Sequence, residues 1–520
     1  MKHDSLLRST TLYSIATLIS RVLGLVRESC LAAFVDPNWQ NIFQAGFKIP
    51  NTFRMLFAEG ALSAAFIPML AQIRERKSTE DAIHFSHSVF TFLLVIVGGL
   101  TLLAMIFSPW FVPFILEFNE EWKIQASVRI TQIMFPFLFF VALAAWAMGI
   151  LNTYRYFFMP ALASAFFNIV LISAFIIGAW YFDDMELMWF LGGAVILGGI
   201  IQFTVQISQT RKVGYFPPKI RNPFSPEVKE MLWKLAPSVF GLAVYQLNAL
   251  VSQTYFASKY SAGGVEYGVA TITYAFRLIQ FPLGVVGVAL ATASFPRIAQ
   301  FFAQDRIQDA SNTLVEVMKY LLLLMIPAAL GFIVLGEDIC GMIYNFREFR
   351  RAGWLPITTV ILAFYSLGLL SYSMTIVLAR TSQAQHDFRT PVASGVLAVF
   401  VNLILCTIFV RYFDVWCLAL AASIASTANG AVLFVILWKR LHFSIRPVLA
   451  FGLKVIIAAS GMALACLLVL QFLPYLPHQE GKFLLYSIRV VSGMTVSLLV
   501  YAGLGWLLFS NELKAVLRRK

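Results

Sequence analysis

Ser20-Arg21-Val22-Leu23-Gly24-Leu25-Val26-Arg27-Glu28 places two arginines and an acid inside an otherwise apolar run from Leu12 to Val35. The run is long enough to cross a hydrocarbon core, which takes ~20 residues of helix. Arg21 and Arg27 each lie about eight or nine residues inside it, about 12–13 Å deep at the helical rise. A snorkelling side chain does not easily cover that depth. A charge there costs at least ~2.5–3.5 kcal/mol on insertion scales, so the pair predicts a hydrated cavity and an anionic ligand.

The whole chain supports a membrane setting. Its 520 residues are 59% hydrophobic and only 12% charged, with a mean hydropathy of +0.78. Apolar runs of membrane-spanning length recur about fourteen times, from Leu12–Val35 and Phe43–Ala71 to Val448–Leu473 and Leu484–Phe509. The fold class expected is an all-α polytopic membrane protein of about fourteen transmembrane helices. Met1 to Arg8 makes a basic start like that of a signal peptide, but no small-residue cleavage site follows, so the first run is read as a retained helix.

The net charge of +13 is topological rather than a nucleic-acid footprint. With Met1 inside, the inner loops hold Arg74, Arg76, Lys77, Arg211, Lys212, Lys219, Arg221, Lys439 and Arg440, together with the basic tail. The outer loops hold Asp36, Glu117, Glu120, Glu121, Asp183, Asp184 and Glu186. The outer loops are poorer in cations, an asymmetry that obeys the positive-inside rule with both termini cytoplasmic, and one misfit is the cluster Arg347, Arg350 and Arg351 in a loop this count places outside. The five cysteines show no Cys-x-x-Cys spacing and read as packing residues.

The polar, proline-bearing stretch 210–234 separates an N-lobe of six helices (1–209) from a C-lobe of six (235–446), with a terminal helix pair at 447–520. The lobes echo one another. Ala61-Leu62 with Pro68 and Ala71-Gln72 matches Ala289-Leu290 with Pro296 and Ala299-Gln300, and Pro160 with Asn168 matches Pro391 with Asn402. Both lobes start on the same side, so the repeat is parallel and the substrate path is expected between them.

Charged positions follow the same plan. Arg21 and Glu28 share one face of the first helix, with Arg27 about 120° away at ~100° per residue, so Glu28 is expected to relieve part of the positive charge. In the second run Lys48, Asn51 and Arg54 form a slanted polar stripe, with Pro50 expected to break the helix between them and Ala58 to Ala61 extending the irregularity. Arg277 precedes Gln280-Phe281-Pro282-Leu283-Gly284, a second expected break at the equivalent place. Arginine binds phosphate oxygens in bidentate fashion, so two lobes aiming cations at one cavity suggest a pyrophosphate. Glu59 reads as an interfacial helix-end acid, and Asn168 and Asn402 as helix-packing hydrogen bonders. No Gly-x-x-x-x-Gly-Lys-Ser/Thr loop and no His-Glu-x-x-His spacing occurs in the sequence.

Ser20 to Gly24 with Arg27, Phe47-Lys48-Ile49-Pro50-Asn51 with Arg54, Phe57-Ala58-Glu59-Gly60-Ala61, and Ala65-Phe66-Ile67-Pro68 together resemble the MurJ (MviN) lipid II flippases. Arg277 with Phe281-Pro282, Gly287 to Leu290, Ile150 to Thr153, and Asp387 with Thr390-Pro391 fit the same family. The resemblance covers essentially the full chain. It implies a multidrug/oligosaccharidyl-lipid/polysaccharide exporter fold, in a monomer of the bacterial inner membrane. It also implies transport of lipid II, the undecaprenyl-pyrophosphate-linked peptidoglycan precursor, from the inner to the outer leaflet. By the same resemblance Arg21, Arg27, Arg54 and Arg277 engage the pyrophosphate, while Lys48 and Asn51 line or gate the cavity. Ser20, Glu28, Asn41, Glu59 and Gln280 supply gating or counter-charge, and the terminal pair forms a groove for the lipid tail.

Two departures stand out. Many relatives carry an acid where Asn41 and Gln280 stand, and Asn402 is followed one turn later by Cys406 rather than by an acid that could complete a sodium site. Membrane potential acting on the charged site is therefore the favoured coupling, with no cofactor or metal. The rival transport readings are a flippase for another polyprenyl-pyrophosphate-linked oligosaccharide and a drug/cation antiporter, which needs cavity acids. A membrane glycosyltransferase would have only Asp183, Asp184 and Glu186 as outer-loop candidates.

Overall fold

The computed structural model describes residues 2–56, 62–474 and 483–517. The chain divides into two compact units, residues 1–270 and 271–520. Unit 1 holds α1 (Lys2–Phe34), α2 (Pro37–Arg54), α3 (Leu62–Arg76), α4 (Thr79–Phe92), α5 (Gly98–Ile115), α6 (Glu121–Met134), α7 (Pro136–Thr153), α8 (Phe158–Tyr181), α9 (Asp184–Thr210) and α10 (Pro226–Leu250). A two-stranded antiparallel hairpin, β1 (Ser261–Ala262) and β2 (Val265–Glu266), closes the unit. α11 (Gly268–Pro282) starts at the end of unit 1 and runs into unit 2. Unit 2 continues with α12 (Val288–Ala303), α13 (Ile307–Tyr344), α14 (Arg347–Arg351), α15 (Leu355–Leu367), α16 (Leu369–Ala384), α17 (Arg389–Phe409), α18 (Trp416–Leu441), α19 (Arg446–Phe472) and α20 (Phe483–Leu517).

Among the described residues, ten helical stretches are long and apolar enough to cross a membrane, or eleven when the bent pair α15–α16 counts as one. The other three runs expected from the sequence also fold as helices, in α1, in α2 with α3, and in α10. α1 and α2 carry Arg21, Arg27, Glu28, Lys48 and Arg54.

Local chemistry sets the boundaries. Asp36 caps α2 by accepting from the Asn38 amide at 2.9 Å, with Pro37 at the first helical position. Gln40 donates to the Ala32 and Val35 carbonyls, which occupies acceptors at the end of α1 and fixes a tight α1–α2 turn. Ser225 caps α10 and Pro226 is its first residue, so that helix begins nine residues before the apolar run at Leu235.

Pro50 does not break its helix, contrary to the expectation: α2 continues through it to Arg54. A mid-helix proline removes its own N–H, which frees the carbonyl four residues back. Here that group is Gly46 O, which accepts from Thr131 Oγ1 of α6 at 3.5 Å. Gly46 also lets α6 approach, because a Cβ there would lie 2.5 Å from Ile130 Cγ2. The same device recurs at two other prolines. Pro109 frees Met105 O, taken by Gln132 Nε2 at 3.0 Å, and Pro327 frees Leu323 O, taken by Tyr501 Oη at 2.7 Å. Within a bilayer such substitute donors are what make an interior proline tolerable.

The expected break after Arg277 is a π-helical stretch, Leu283–Gly287, that joins α11 to α12 without ending the helix. The corresponding segment of the first half, 57–61, lies outside the described residues, and Glu59 with it. All five cysteines are buried thiols outside any disulfide. In unit 2, α13 is clamped to the terminal pair: Arg489 Nε of α20 lies 2.6 Å from Asp338 Oδ1, and its Nη1 donates to the Leu470, Leu473 and Pro474 carbonyls at the end of α19.

Candidate functional site

α1, α2 and α8 build a buried polar core in unit 1. Arg27 and Glu28 are both buried, at 9% and 2% exposure, and form an ion pair through Nη2 and Oε1. Arg27 Nη1 also donates to Asn168 Oδ1 at 3.3 Å, with the guanidinium 5.8 Å from the Phe167 ring. Gln44 Nε2 donates to the other Glu28 oxygen at 2.8 Å. Asn168 Nδ2 then donates to the Ser20 carbonyl at 3.1 Å, which ties α8 back to α1. Each buried charge is thus paired and hydrogen-bonded, the condition under which burial is affordable.

Glu28 shares a helix face with Arg21, seven residues back, and the structure also pairs it with its chain neighbour Arg27. Adjacent Cα–Cβ vectors diverge by ~100°, but a guanidinium on its long stem sweeps back across that angle when both groups turn toward α2 and α8. Arg21 itself is half-buried on the same helix.

The stripe on α2 is present as a row of polar contacts. Lys48 Nζ donates to Gln253 Oε1 at 2.6 Å, on the π-helical turn that follows α10, and Arg54 Nε donates to Asn51 Oδ1 at 2.9 Å. Lys48, Asn51 and Arg54 are all half-buried. Two partners, Gln44 and Gln253, escaped the sequence reading. Asn41, Gln44, Lys48 and Asn51 step by three and four, and that spacing was the available signal for Gln44. In unit 2, Arg277 Nη1 donates to Gln280 Oε1 at 3.2 Å, and both are half-buried.

Asn41 sits at the start of α2 in a different kind of contact. Its Nδ2 donates to the Glu266 carbonyl at 2.6 Å and to the Pro37 carbonyl at 2.9 Å, while its Oδ1 accepts from the Ala270 amide at 2.9 Å. An amide supplies donors and an acceptor together, whereas a carboxylate would face two carbonyls with no donor. The asparagine therefore latches backbone rather than balancing charge. Beside it, Lys123 of α6 is wholly buried, 3.0 Å from Glu120 Oε1, 3.6 Å from Glu266 Oε1 and 2.8 Å from the Gly264 carbonyl. Glu266 also accepts from the Asn119 amide at 3.2 Å, and its own amide donates to Asn38 Oδ1 at 3.2 Å. Burial pushes the Glu266 carboxyl above the usual range against the opposing pull of Asn119 and Lys123, and its Oε2 is buried with no hydrogen bond. No sequence pattern links Lys123 to Glu266; the pairing exists only because the hairpin folds onto the start of α6.

The model of the family described as "Lipid II flippase MurJ" matches residues 32–486. The chain belongs to the lipid II flippase MurJ family. A relative from Rhizobium tropici, described as a probable lipid II flippase MurJ, is 33% identical over 434 residues, covering 82% of this chain and 80% of its own length. The solved structure "Lipid II flippase MurJ, inward closed conformation" is similar over 97% of this chain and all of its own, with 25% identity and a TM-score of 0.79. An inward-facing multidrug resistance MATE transporter of the MOP superfamily matches at a TM-score of 0.69 over 83% of this chain and 98% of its own, and its 14% identity speaks for the fold alone. The MurJ family is one of transporters rather than enzymes, and its MOP-type helical fold is the one expected from the sequence. Among the described residues no group of three or more His, Cys, Asp or Glu side chains could hold a metal ion.

Proposed function

We propose that this chain flips lipid II from the inner to the outer leaflet by alternating access. The observation that supports this most is the Arg27–Glu28 pair held by Gln44 and Asn168 on the first two helices and α8, in a member of the MurJ family. A paired guanidinium in a buried setting keeps its planar fork of donors in fixed orientation for bidentate contact with two oxygens of an anion such as a pyrophosphate. Arg21, Lys48, Asn51, Arg54 and Arg277 are assigned to the same headgroup, and Ser20, Glu28, Asn41, Glu59 and Gln280 to gating or counter-charge. The chain is read as two six-helix lobes joined through 210–234, with 447–520 as a groove for the lipid tail. Both termini are placed in the cytoplasm of a bacterial inner membrane, and the protein acts as a monomer driven by membrane potential. Depleting the protein from cells without a redundant flippase and assaying lipid II by leaflet tests the function. Loss of outer-leaflet lipid II is expected, and an unchanged outer pool overturns the proposal.

A further inference from the structure

The segment between α9 and α10 is a folded strap, not a free linker. After the left-handed Gly214, Tyr215 is completely buried; its hydroxyl meets that of Tyr154 at 3.4 Å and its carbonyl lies 3.4 Å from His87 Nε2. Farther along, the Arg221 amide donates to Thr91 Oγ1 at 3.0 Å, and the Phe224 ring packs edge-on against Phe92 at 6.1 Å. The contacts climb α4 from His87 to Phe92, about 7–8 Å along the helix axis. Immediately beyond Phe92, Leu94, Val95 and Ile96 turn outward as exposed apolar surface. The strap therefore ends level with the start of the lipid-facing part of that helix.

What the strap displays outward is equally specific. Arg211, Lys212, Lys219, Arg221 and Lys229 are exposed, and among them stand Ile220 at 69%, Phe224 at 46% and Trp233 at 81% exposure. The acids of the stretch are already engaged, Glu227 with Lys77 at 3.3 Å and Glu230 with Lys234 at 2.6 Å. Cations interleaved with aromatic and aliphatic side chains at the edge of a hydrocarbon belt match the chemistry of an anionic headgroup above an acyl chain. We propose that the folded strap 211–225, together with the first turns of α10 as far as Lys234, is a docking surface for anionic phospholipids of the leaflet it borders. The occupant is a headgroup phosphate held by the four cations of 211–221, with Ile220, Phe224 and Trp233 in the acyl boundary.

The test uses the full chain in nanodiscs and the Trp233 fluorescence obtained as the difference between the parent and Trp233→Phe. Brominated phosphatidylglycerol is expected to quench that signal more than brominated phosphatidylcholine at equal mole fraction. The quadruple variant R211A/K212A/K219A/R221A should lose the preference by on the order of tenfold or more, while Ile220→Ser with Phe224→Ser weakens quenching by both lipids. Raising salt should shrink the preference in the parent, which keeps the proposal testable where the quadruple variant does not fold. Equal quenching by the two lipids, or a preference unchanged by salt and by the quadruple variant, overturns it. A preference seen only after adding cytosolic protein would also overturn it, in favour of a protein partner. No lipid II enters the measurement, so its outcome is independent of the transport function proposed above.

Discussion

Arg27 and Glu28, adjacent in the chain, are ion-paired to each other in the buried interior of unit 1. Removing one partner of a buried pair strands the other charge, which costs ~3–5 kcal/mol. Glu28→Ala is therefore expected to lower the melting temperature markedly and to abolish growth of a strain that depends on this protein. The double variant Arg27→Met, Glu28→Leu should regain most of the stability and still not support growth. Growth of the double variant at normal protein levels would separate the pair from transport.

Tyr501 and Pro327 form a second coupled unit. Tyr501→Phe leaves Leu323 O with no donor and is expected to destabilise by ~1–3 kcal/mol. In a Pro327→Ala background the helix supplies its own N–H to that carbonyl, so the same substitution should cost much less. Thermal unfolding of the four proteins reads the coupling; identical penalties in both backgrounds would show that the hydroxyl is not the replacement donor.

Lys123 holds a carboxyl that burial already disfavours in ionised form. Lys123→Met is expected to cost ~3–5 kcal/mol near neutral pH. Glu266 has a raised pKa, so the protonated form is the one folding favours: that stability is complete below the ordinary carboxylate value and is lost as pH rises through the raised one. The deficit of Lys123→Met should consequently shrink on going from about pH 7 to about pH 5, and Lys123→Met with Glu266→Gln should recover most of it. A deficit that is flat with pH counts against the pairing.

Asp387 gives the opposite sign. Its partial burial raises the carboxyl, but hydrogen bonds from Thr390 and the ion pair with Arg440 overcome this and hold it at about 2. Its contribution is complete above the ordinary value of 3.8 and disappears as pH falls toward about 2. The stability gap between the parent and Asp387→Asn is expected to be open at about pH 6 and to close progressively below about pH 4. Equal unfolding temperatures at all pH values would remove Asp387 from the link between the start of α17 and the end of α18.

The helical class, the deep cations and the polar stripe of α2 were legible in the residues themselves. Hydropathy over a span and a periodicity of 3.6 are local properties, and both survive folding unchanged. Pro50 shows the limit of local rules, since whether a proline ends a helix depends on whether a distant donor, here Thr131, reaches the carbonyl it frees. The Asn41 latch was equally out of reach, because its partners Glu266 and Ala270 are more than two hundred positions away.

By itself, then, the sequence determined that this protein crosses a membrane many times and carries cations where lipid forbids them, because the cost of a charge in hydrocarbon depends only on what surrounds it along the span. The tertiary structure alone decided which group answers each charge. Gln44 and Asn168 join the Arg27–Glu28 pair, Gln253 serves Lys48, and the Gly264 carbonyl serves Lys123, since a long side chain pairs with whatever partner packing brings within about 3 Å. Packing of that kind is set by helices far apart in the chain, and no spacing along it encodes the meeting.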